Sequence, residues 1–313
     1  MSNPVKRGPS PVAFAAAFAV IYLVWGSTFL GIRIAVETLP PLTMAAVRFL
    51  VSGAVMMFAS AGARPRPSPR QWGNALIVGG LFFLGNHGLV SLSARFLPSS
   101  LICLIVATEV PVIALLSSQL LPNHPLTLRT GLGAALGILG VMCLFVGQGN
   151  GTTAPLLLPS LGVLGASLSW ATGVVYSQKL DFPPDPFLRA AMQMTCGGAL
   201  LSLASVAHGE PAMLQLDAFS VRSVAALAYL IVFGSVIAFG CYTWLLKHVR
   251  IEAVATHAFV NPLVAVLVGI WLGGEKLQVA HAVAGAFILG SVWVIVVGGK
   301  KKPSAATLQA SAL

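Results

Sequence analysis

Glu109 is a side chain that could do acid–base or binding chemistry in an otherwise apolar part of this sequence. Its neighbours from Leu97 to Leu121 are mostly apolar, which predicts that the carboxylate lies in the middle of a long helix. A charge at that depth in a bilayer costs about 3 kcal/mol, so it should face a cavity or a partner. Glu109 is therefore a candidate for binding a ligand or carrying a proton. The alternative is a protonated carboxyl hydrogen-bonded between helices.

His257 and Asn261 form a second polar pair. They lie four residues apart and so share one face of a helix. Pro262 follows at once and leaves a backbone carbonyl free at that point. A polar face beside a broken helix suits a ligand site, whereas a packing hydrogen bond is the alternative for the histidine.

Asn86 and His87 stand together in a third apolar stretch, between Gly85 and Gly88. The glycines allow a ligand or another helix to approach closely, so these two side chains are candidates for binding, with tight helix packing as the alternative. Gln193 is a weaker candidate of the same kind.

Arg48 is a basic residue inside an apolar stretch. The interpretation favoured from the sequence is that its long side chain extends to the membrane surface. Two alternatives stay open: it binds an anionic group of a ligand, or it pairs with Glu109.

Trp25 and Trp170 begin similar motifs, Trp-Gly-Ser-Thr and Trp-Ala-Thr-Gly, about 145 residues apart. Both are predicted to lie inside helices, away from the interfacial belts where tryptophan is enriched. Two such indoles could line a central cavity from both sides, and packing within the bundle is the alternative.

The elements that position these residues follow from composition. Of 313 residues, 57% are hydrophobic and 8% are charged, with a mean hydropathy of +0.90. A water-soluble domain carries about a quarter charged residues, so this chain is predicted to lie in a bilayer. Apolar runs of about 20 residues match the bilayer thickness. They predict ten transmembrane helices near 12–32, 43–61, 72–92, 97–121, 127–146, 156–178, 187–207, 221–246, 250–272 and 278–298.

The basic residues are divided unequally between the two predicted faces of the membrane. Thirteen lie on the face that carries both termini, including Lys6, Arg7 and Lys300–Lys302, and four lie on the other face. The positive-inside rule therefore predicts cytoplasmic termini and an uncleaved first helix. This asymmetry accounts for the net charge of +10, so no nucleic-acid partner is expected.

Repeated motifs divide the chain into two halves. Glu109-Val110-Pro111 has a counterpart in Val260-Asn261-Pro262 about 151 residues later, in the same order as the tryptophan motifs. Because five spans is an odd number, a second copy must enter the membrane from the opposite side. The chain is thus predicted to be an all-α membrane protein of two inverted five-helix repeats. The predicted domains are 1–150, with helices 1–5, and 151–313, with helices 6–10 and a cytoplasmic tail.

Several stretches resemble the drug/metabolite transporter superfamily, specifically its EamA-like members with ten helices. They are WGSTFLGIRIA at 25–35, LPPLTMAAVRFL at 39–50, SWATGVVYSQKL at 169–180 and FVNPLVAVLVGIWLGGEKL at 259–277. The most specific part ends in Gly274-Glu275. The first half departs from the pattern, since Leu121-Pro122-Asn123-His124-Pro125 stands where the family usually has a second Gly-Glu pair. Members with this fold are similar to exporters of amino acids or other small metabolites, so the resemblance implies a transporter in the cytoplasmic membrane and leaves its cargo open.

The predicted function is a secondary transporter that works by alternating access on a small-molecule substrate in the lipid bilayer. Protons are a candidate coupling ion, and a monomer or weak homodimer is expected. No catalytic residue, cofactor or metal ion is predicted, because the sequence lacks a His-Glu-x-x-His helix, a Gly-x-Ser-x-Gly elbow and a P-loop. The alternatives are an intramembrane enzyme, a passive channel or lipid scramblase, and a carrier of nucleotide or phosphorylated sugars. The sugar phosphates would require more interior basic residues than Arg48 alone.

Overall fold

The structure, a computed structural model, describes residues 10–63, 65–122, 126–146, 153–249, 254, 256–276 and 278–297. Within these ranges the chain forms ten helical spans. They are α1 (Pro11–Ala35), α2 (Pro41–Ala59), α3 (Pro69–Ser93), α4 (Ser99–Leu120), α5 (Leu128–Val146), α6 (Thr153–Ser177), α7 (Pro186–Ala207), α8 (Val221–Tyr229, Leu230–Ile237 and Ala238–His248), α9 (His257–Trp271) and α10 (Val279–Val297).

The predicted ten-helix membrane fold is confirmed by these spans. In the described part of the chain, seven helices are long and apolar enough to cross a bilayer, and the other three spans contain shorter apolar helices. Four predicted features lie outside the described residues: Lys6 and Arg7, residues 123–125, the start of the predicted ninth span at 250–253, and the tail with Lys300–Lys302.

Local sequence signals explain where the helices begin. Proline occupies the first turn of several helices, where no N–H is needed and the φ angle is already helical: Pro11, Pro41, Pro69 and Pro186. Short polar side chains accept hydrogen bonds from the first turn in the usual N-cap manner: Ser10, Ser68, Asp185 and Ser220.

The two halves interlock. α2 packs along α7 and α5 packs along α10, so equivalent helices of the two repeats meet. α1 packs against α8 and α9 of the second half, and α6 packs against α3 and α4 of the first half. Such an exchange is typical of inverted repeats related by a pseudo-two-fold axis. The central apolar cluster, which includes Ile32, Met44, Ile102, Val163 and Leu230, therefore draws residues from both halves.

α3 and α8 each contain a π-helical segment, Gly80–Gly88 and Leu230–Ile237. We call these two stretches the π segments. They start about 150 residues apart, which is close to the spacing of the repeated motifs. Because π-helical turns are rare and are frequently found at functional sites, this matched pair marks a candidate place for the chemistry of the two repeats.

Candidate functional site

α4 is interrupted in mid-length, directly before Glu109. Its first segment ends at Val106 and its second begins at Glu109. Pro111 has no N–H to donate to the carbonyl of Ala107, so the regular helical pattern is lost there. Glu109 therefore lies in the first turn of a new helix segment, where the free N–H groups favour a negative charge.

Asn86, on the π segment of α3, connects Glu109 to α6. Its Nδ2 donates to Oε1 of Glu109 at 3.2 Å and to the carbonyl oxygen of Ala166 at 3.0 Å. Asn86 is buried, whereas Glu109 keeps partial exposure although it lies in the middle of a span. Among the residues described, Asn86 is the one side chain that donates to this carboxylate. Glu109 thus has one neutral donor and an accessible side.

His87, next to Asn86, lies within a set of aromatic rings. Its ring centroid is 4.8 Å from that of Phe49, 5.9 Å from Phe83 and 6.2 Å from Trp170. The Nδ1 atom of His87 is buried and has no hydrogen-bond partner among the described residues. We call Asn86, His87, Glu109 and Trp170 the Glu109 group.

Arg48 crosses from α2 to the π segment of α8. Its Nε donates to Oγ of Ser235 at 2.9 Å, and its Cζ lies 4.8 Å from the ring centroid of Phe49. The residue is 5% exposed, so it does not extend to the membrane surface and that interpretation is wrong. Nor does it pair with Glu109, since the ion pairs of the described residues are Arg33–Glu275 and Arg222–Glu37.

Trp25 contacts the same π segment from α1. Its Nε1 donates to the carbonyl oxygen of Gly234 at 3.1 Å, and its ring centroid is 5.2 Å from that of His257. We call Trp25, Arg48, Ser235 and His257 the Arg48 group. Trp170 makes the equivalent contact in the other repeat, since its ring centroid lies 4.4 Å from that of Phe82 in the π segment of α3. Each tryptophan therefore packs on the π segment of the opposite half.

Asn261 and Gln193 are placed differently. Asn261 borders the Arg48 group, because α9 passes so close to α1 that a Cβ on Gly26 would lie 3.1 Å from its carbonyl oxygen. Its Oδ1 is buried without a partner among the described residues. Gln193 is buried where α7 crosses α3, and within the described ranges no hydrogen bond or ring contact joins it to either group. The structure thus gathers eight of the nine predicted site residues and leaves Gln193 aside.

Phe49, Ser235 and Tyr229 were not predicted from the sequence. Phe49 contacts both Arg48 and His87 and so connects the two groups. The Tyr229 hydroxyl lies 2.6 Å from Oγ of Ser27, close to the Arg48 group. The repeat offset is the one sequence signal that could have pointed to Ser235, since it relates the stretch around residue 235 to the stretch around Asn86.

Glu275 connects three helices at one end of the bundle. Its carboxylate accepts hydrogen bonds from the backbone N–H groups of Ser99 at 2.6 Å and Ser100 at 3.0 Å, and from both serine hydroxyls. Arg33 of α1 adds an ion pair. Gly274 has a φ of +64°, a left-handed conformation that directs the chain from α9 back toward the start of α4. We call Glu275, Arg33, Ser99 and Ser100 the Glu275 clamp.

The carboxylate of Glu275 is held in its ionised form by the clamp. Burial of the carboxyl opposes ionisation, but the hydrogen bonds from Ser100 and Ser99 outweigh it and hold the pKa of Glu275 below its usual range. The first segment of α4 packs on α1, α6, α9 and α10, whereas its second segment packs on α5, α6 and α10. The clamp therefore closes α4 against α9 at one end of the bundle.

A second carboxylate caps a helix elsewhere in the fold. Glu210, 1% exposed, accepts hydrogen bonds from the backbone N–H groups of Leu42 at 3.0 Å and Thr43 at 2.7 Å at the start of α2. Its contacts join α2 to the connection after α7, and do not involve α4 or α9.

A metal site is a separate question. No group of three His, Cys, Asp or Glu residues that could hold a metal ion occurs within the described ranges.

Comparisons with known proteins give a family match, related sequences and a solved structure of similar fold. Residues 12–146 and 157–297 each match the EamA-like transporter family. The chain is 35% identical, over 288 residues, to the "Uncharacterized inner membrane transporter YedA" of Escherichia coli, covering 91% of this chain and 90% of that one. It is 24% identical, over 303 residues, to the "Probable amino-acid metabolite efflux pump" of Salmonella typhimurium, covering 91% and 95%. A solved structure described as "Crystal structure of protein" shares the fold, with a TM-score of 0.62 at 20% identity over 94% of this chain and all of that one.

Proposed function

The chain belongs to the EamA-like transporter family, and from that premise we propose that it is a secondary transporter that exports small metabolites such as amino acids or related compounds. Family and relatives already make it a multi-pass transporter of small molecules in the inner membrane. The substrate class comes from the relative named as an amino-acid metabolite efflux pump. The two relatives described above are named as a transporter and an efflux pump, which argues against an intramembrane enzyme.

One observation carries the proposal: the Glu109 group and the Arg48 group meet between the two inverted repeats. Each group combines a π segment of one half with a tryptophan of the other, Trp170 in the first case and Trp25 in the second. Transporters built from inverted repeats hold their substrate near the midplane at the interface of the repeats. We infer that the substrate binds between these two groups.

Alternating access is the mechanism that fits this geometry. The Glu275 clamp joins α4, α9 and α1 at one end, while the second segment of α4, which begins at Glu109, packs on α5, α6 and α10. With cytoplasmic termini, the clamp lies on the side away from the cytoplasm. Export then requires the clamp to open after the substrate has entered from the cytoplasm, and a proton on Glu109 is the candidate for the coupled exchange.

A counterflow screen tests the function. Purified protein in liposomes loaded with amino acids, organic acids or aromatic amines should accumulate the matching labelled compound, and Trp170→Ala should reduce this exchange. Trp293→Ala is the matched control, because Trp293 is 59% exposed on the outer surface of α10. Absence of exchange for every compound between pH 5 and 8 would contradict the proposal. A flux that never saturates would favour a passive channel.

A further inference from the structure

The guanidinium of Arg48 is a buried cation without a buried anion. It is 5% exposed, and in the part of the chain that the structure describes its one hydrogen bond goes to the neutral hydroxyl of Ser235. A guanidinium carries five N–H donors, so the two Nη nitrogens are left without a protein acceptor. Both nitrogens also keep some accessible surface. Neither is among the fully buried side-chain atoms of the described residues that have no hydrogen-bond partner.

Within the described part of the chain, the surroundings of Arg48 supply no carboxylate, since neither ion pair found there includes it. The guanidinium lies beside Gly234, where a Cβ would be 3.4 Å from Nη2 of Arg48 and 3.0 Å from Cγ2 of Thr28. Tyr229 and His87 are the titratable groups close enough to interact electrostatically with Arg48. Neither supplies a carboxylate. An unpaired cation at this depth is costly, which suggests that a mobile anion completes the site.

The single positive charge of Arg48 matches a ligand that carries one negative charge. Within the described spans, every Lys or Arg other than Arg48 lies in the first or last four residues of its helix. A phosphate group with two negative charges would need a second interior cation. A carboxylate needs one, and the planar guanidinium fork can bind both of its oxygens at once.

The apolar part of the ligand follows from the rings beside Arg48. Phe49 lies 4.8 Å from the Arg48 Cζ and 4.4 Å from the Phe83 ring. His87 and the partly exposed Trp170 continue the same wall, with ring centroids 6.2 Å apart. Phe49 and Phe83 are buried, at 2% and 7% exposure, so they back the two rings that keep exposed surface, His87 and Trp170. An aromatic or bulky apolar body would therefore lie against His87 and Trp170 while its charged end reaches Arg48.

We propose that Arg48 is the anion-binding residue of the transport site and that the substrates are organic monocarboxylates with an aromatic or bulky apolar body. This inference rests on the proposed function, because the bound ligand is a substrate only if the protein transports it. The carboxylate is the shared requirement, and an amino group on the same molecule is optional.

The experiment compares matched probes on the full-length protein in detergent. Binding of 3-phenylpropionate, phenylalanine, 3-phenylpropanamide and 2-phenylethylamine is measured by tryptophan fluorescence. The two carboxylates should bind the wild type, and Arg48→Gln should weaken them about thirtyfold or more, as truncation of one partner of a buried charge pair does. Arg48→Lys should restore part of the affinity, because it keeps the charge and loses the fork. Arg222→Gln, at an ion pair whose side chain is 61% exposed, should bind like the wild type.

A second measurement protects the test if Arg48→Gln does not fold. Modification of Arg48 by phenylglyoxal in the wild type should be slowed by 3-phenylpropionate and unaffected by 3-phenylpropanamide. Equal binding of the acid and the amide, or undiminished binding of the acid by Arg48→Gln, would overturn the inference. Counterflow of amines or amides without carboxylates would overturn it while leaving the transporter function intact. Arg48-dependent binding of carboxylates without any counterflow would support the site and contradict the proposed function instead.

Discussion

Glu275 and Glu109 are two carboxylates at different points of α4, one bonded to its start and the other at its mid-length interruption, and their surroundings differ. Glu275 receives four hydrogen bonds from Ser99 and Ser100 and an ion pair from Arg33. Among the described residues, Glu109 receives one hydrogen bond, from Asn86. The negative charge of Glu275 is therefore matched by fixed donors, whereas that of Glu109 is not. We infer that Glu275 holds helices together and that Glu109 is free to respond to a proton or a ligand.

The largest effect is expected from Glu109→Gln. Glutamine keeps the size of the side chain and removes its ionisation, so exchange should fall by about tenfold or more, which corresponds to roughly 1.4 kcal/mol. The pH dependence of transport between pH 5 and 8 should disappear as well. Counterflow in liposomes at several pH values measures both. Glu37→Gln is the control, because Glu37 is 46% exposed and pairs loosely with Arg222. Wild-type rates for Glu109→Gln at every pH would show that its ionisation has no role.

For stability, as distinct from transport rate, the largest effect is expected from Glu275→Gln, which removes the charge of the better-bonded carboxylate. Each hydrogen bond to a charged group contributes roughly 1.5–3 kcal/mol, and Arg33 adds less because its side chain is 37% exposed. The variant should be less stable by roughly 2–4 kcal/mol. The α4–α9 contact should also open, so that a cysteine at Leu30, beside the clamp, reacts several-fold faster with an impermeant maleimide.

Glu210→Gln is the matched control for the clamp. It removes an equally buried helix-capping carboxylate, at the start of α2, that does not contact α4 or α9. It should lower stability without increasing the labelling at position 30. If both variants increase that labelling equally, the clamp has no special role in closing the bundle.

A smaller effect is expected on cysteine labelling when a substrate binds. In a variant with serine in place of Cys103, Cys143, Cys196 and Cys241, single cysteines placed near Trp25 in α1 and near Trp170 in α6 should change their labelling rate by about twofold when a transported compound is added. The reason is that alternating access closes one path to the site as it opens the other. Unchanged labelling at both positions, in variants that still transport, would favour a fixed pore.

The smallest effect is expected from pH at the Glu275 clamp. The pKa of Glu275 is lowered from 4.5 in the folded protein, so its stabilisation is fully present above that value and is lost as the pH falls through the folded pKa. The difference in Tm between the wild type and Glu275→Gln should thus be constant from pH 8 to pH 5 and shrink only at lower pH. Thermal unfolding in detergent measures it, and a difference that decreases between pH 8 and 6 would point to another group.

The spans, and most of the residues that the structure gathers into the candidate site, could be predicted from the sequence because each signal is local. Apolar runs of bilayer length define the helices, and a polar residue such as Glu109 or Asn86 is conspicuous inside one. The role of Glu275 could not be predicted, because its partner Ser99 is 176 residues away. The hydroxyl of Ser235 was missed since a serine in an apolar helix often bonds its own backbone. Gln193 is the opposite case: it was predicted as a site residue, but the structure places it away from both groups. A polar side chain inside a span therefore does not by itself belong to the site.

The π segment of α3 has a geometric consequence for helix contacts. One extra residue in a helix of 3.6 residues per turn rotates everything beyond it by about 100°. Before Gly80, α3 faces α7, and after Gly88 it faces α6, with Ser93 donating to the carbonyl oxygen of Pro159 at 2.9 Å. A single continuous span thereby presents two different sides to two different neighbours. Asn86 and His87 lie in the turn where this change of side occurs, so their direction depends on the phase of the helix as well as on the residues themselves.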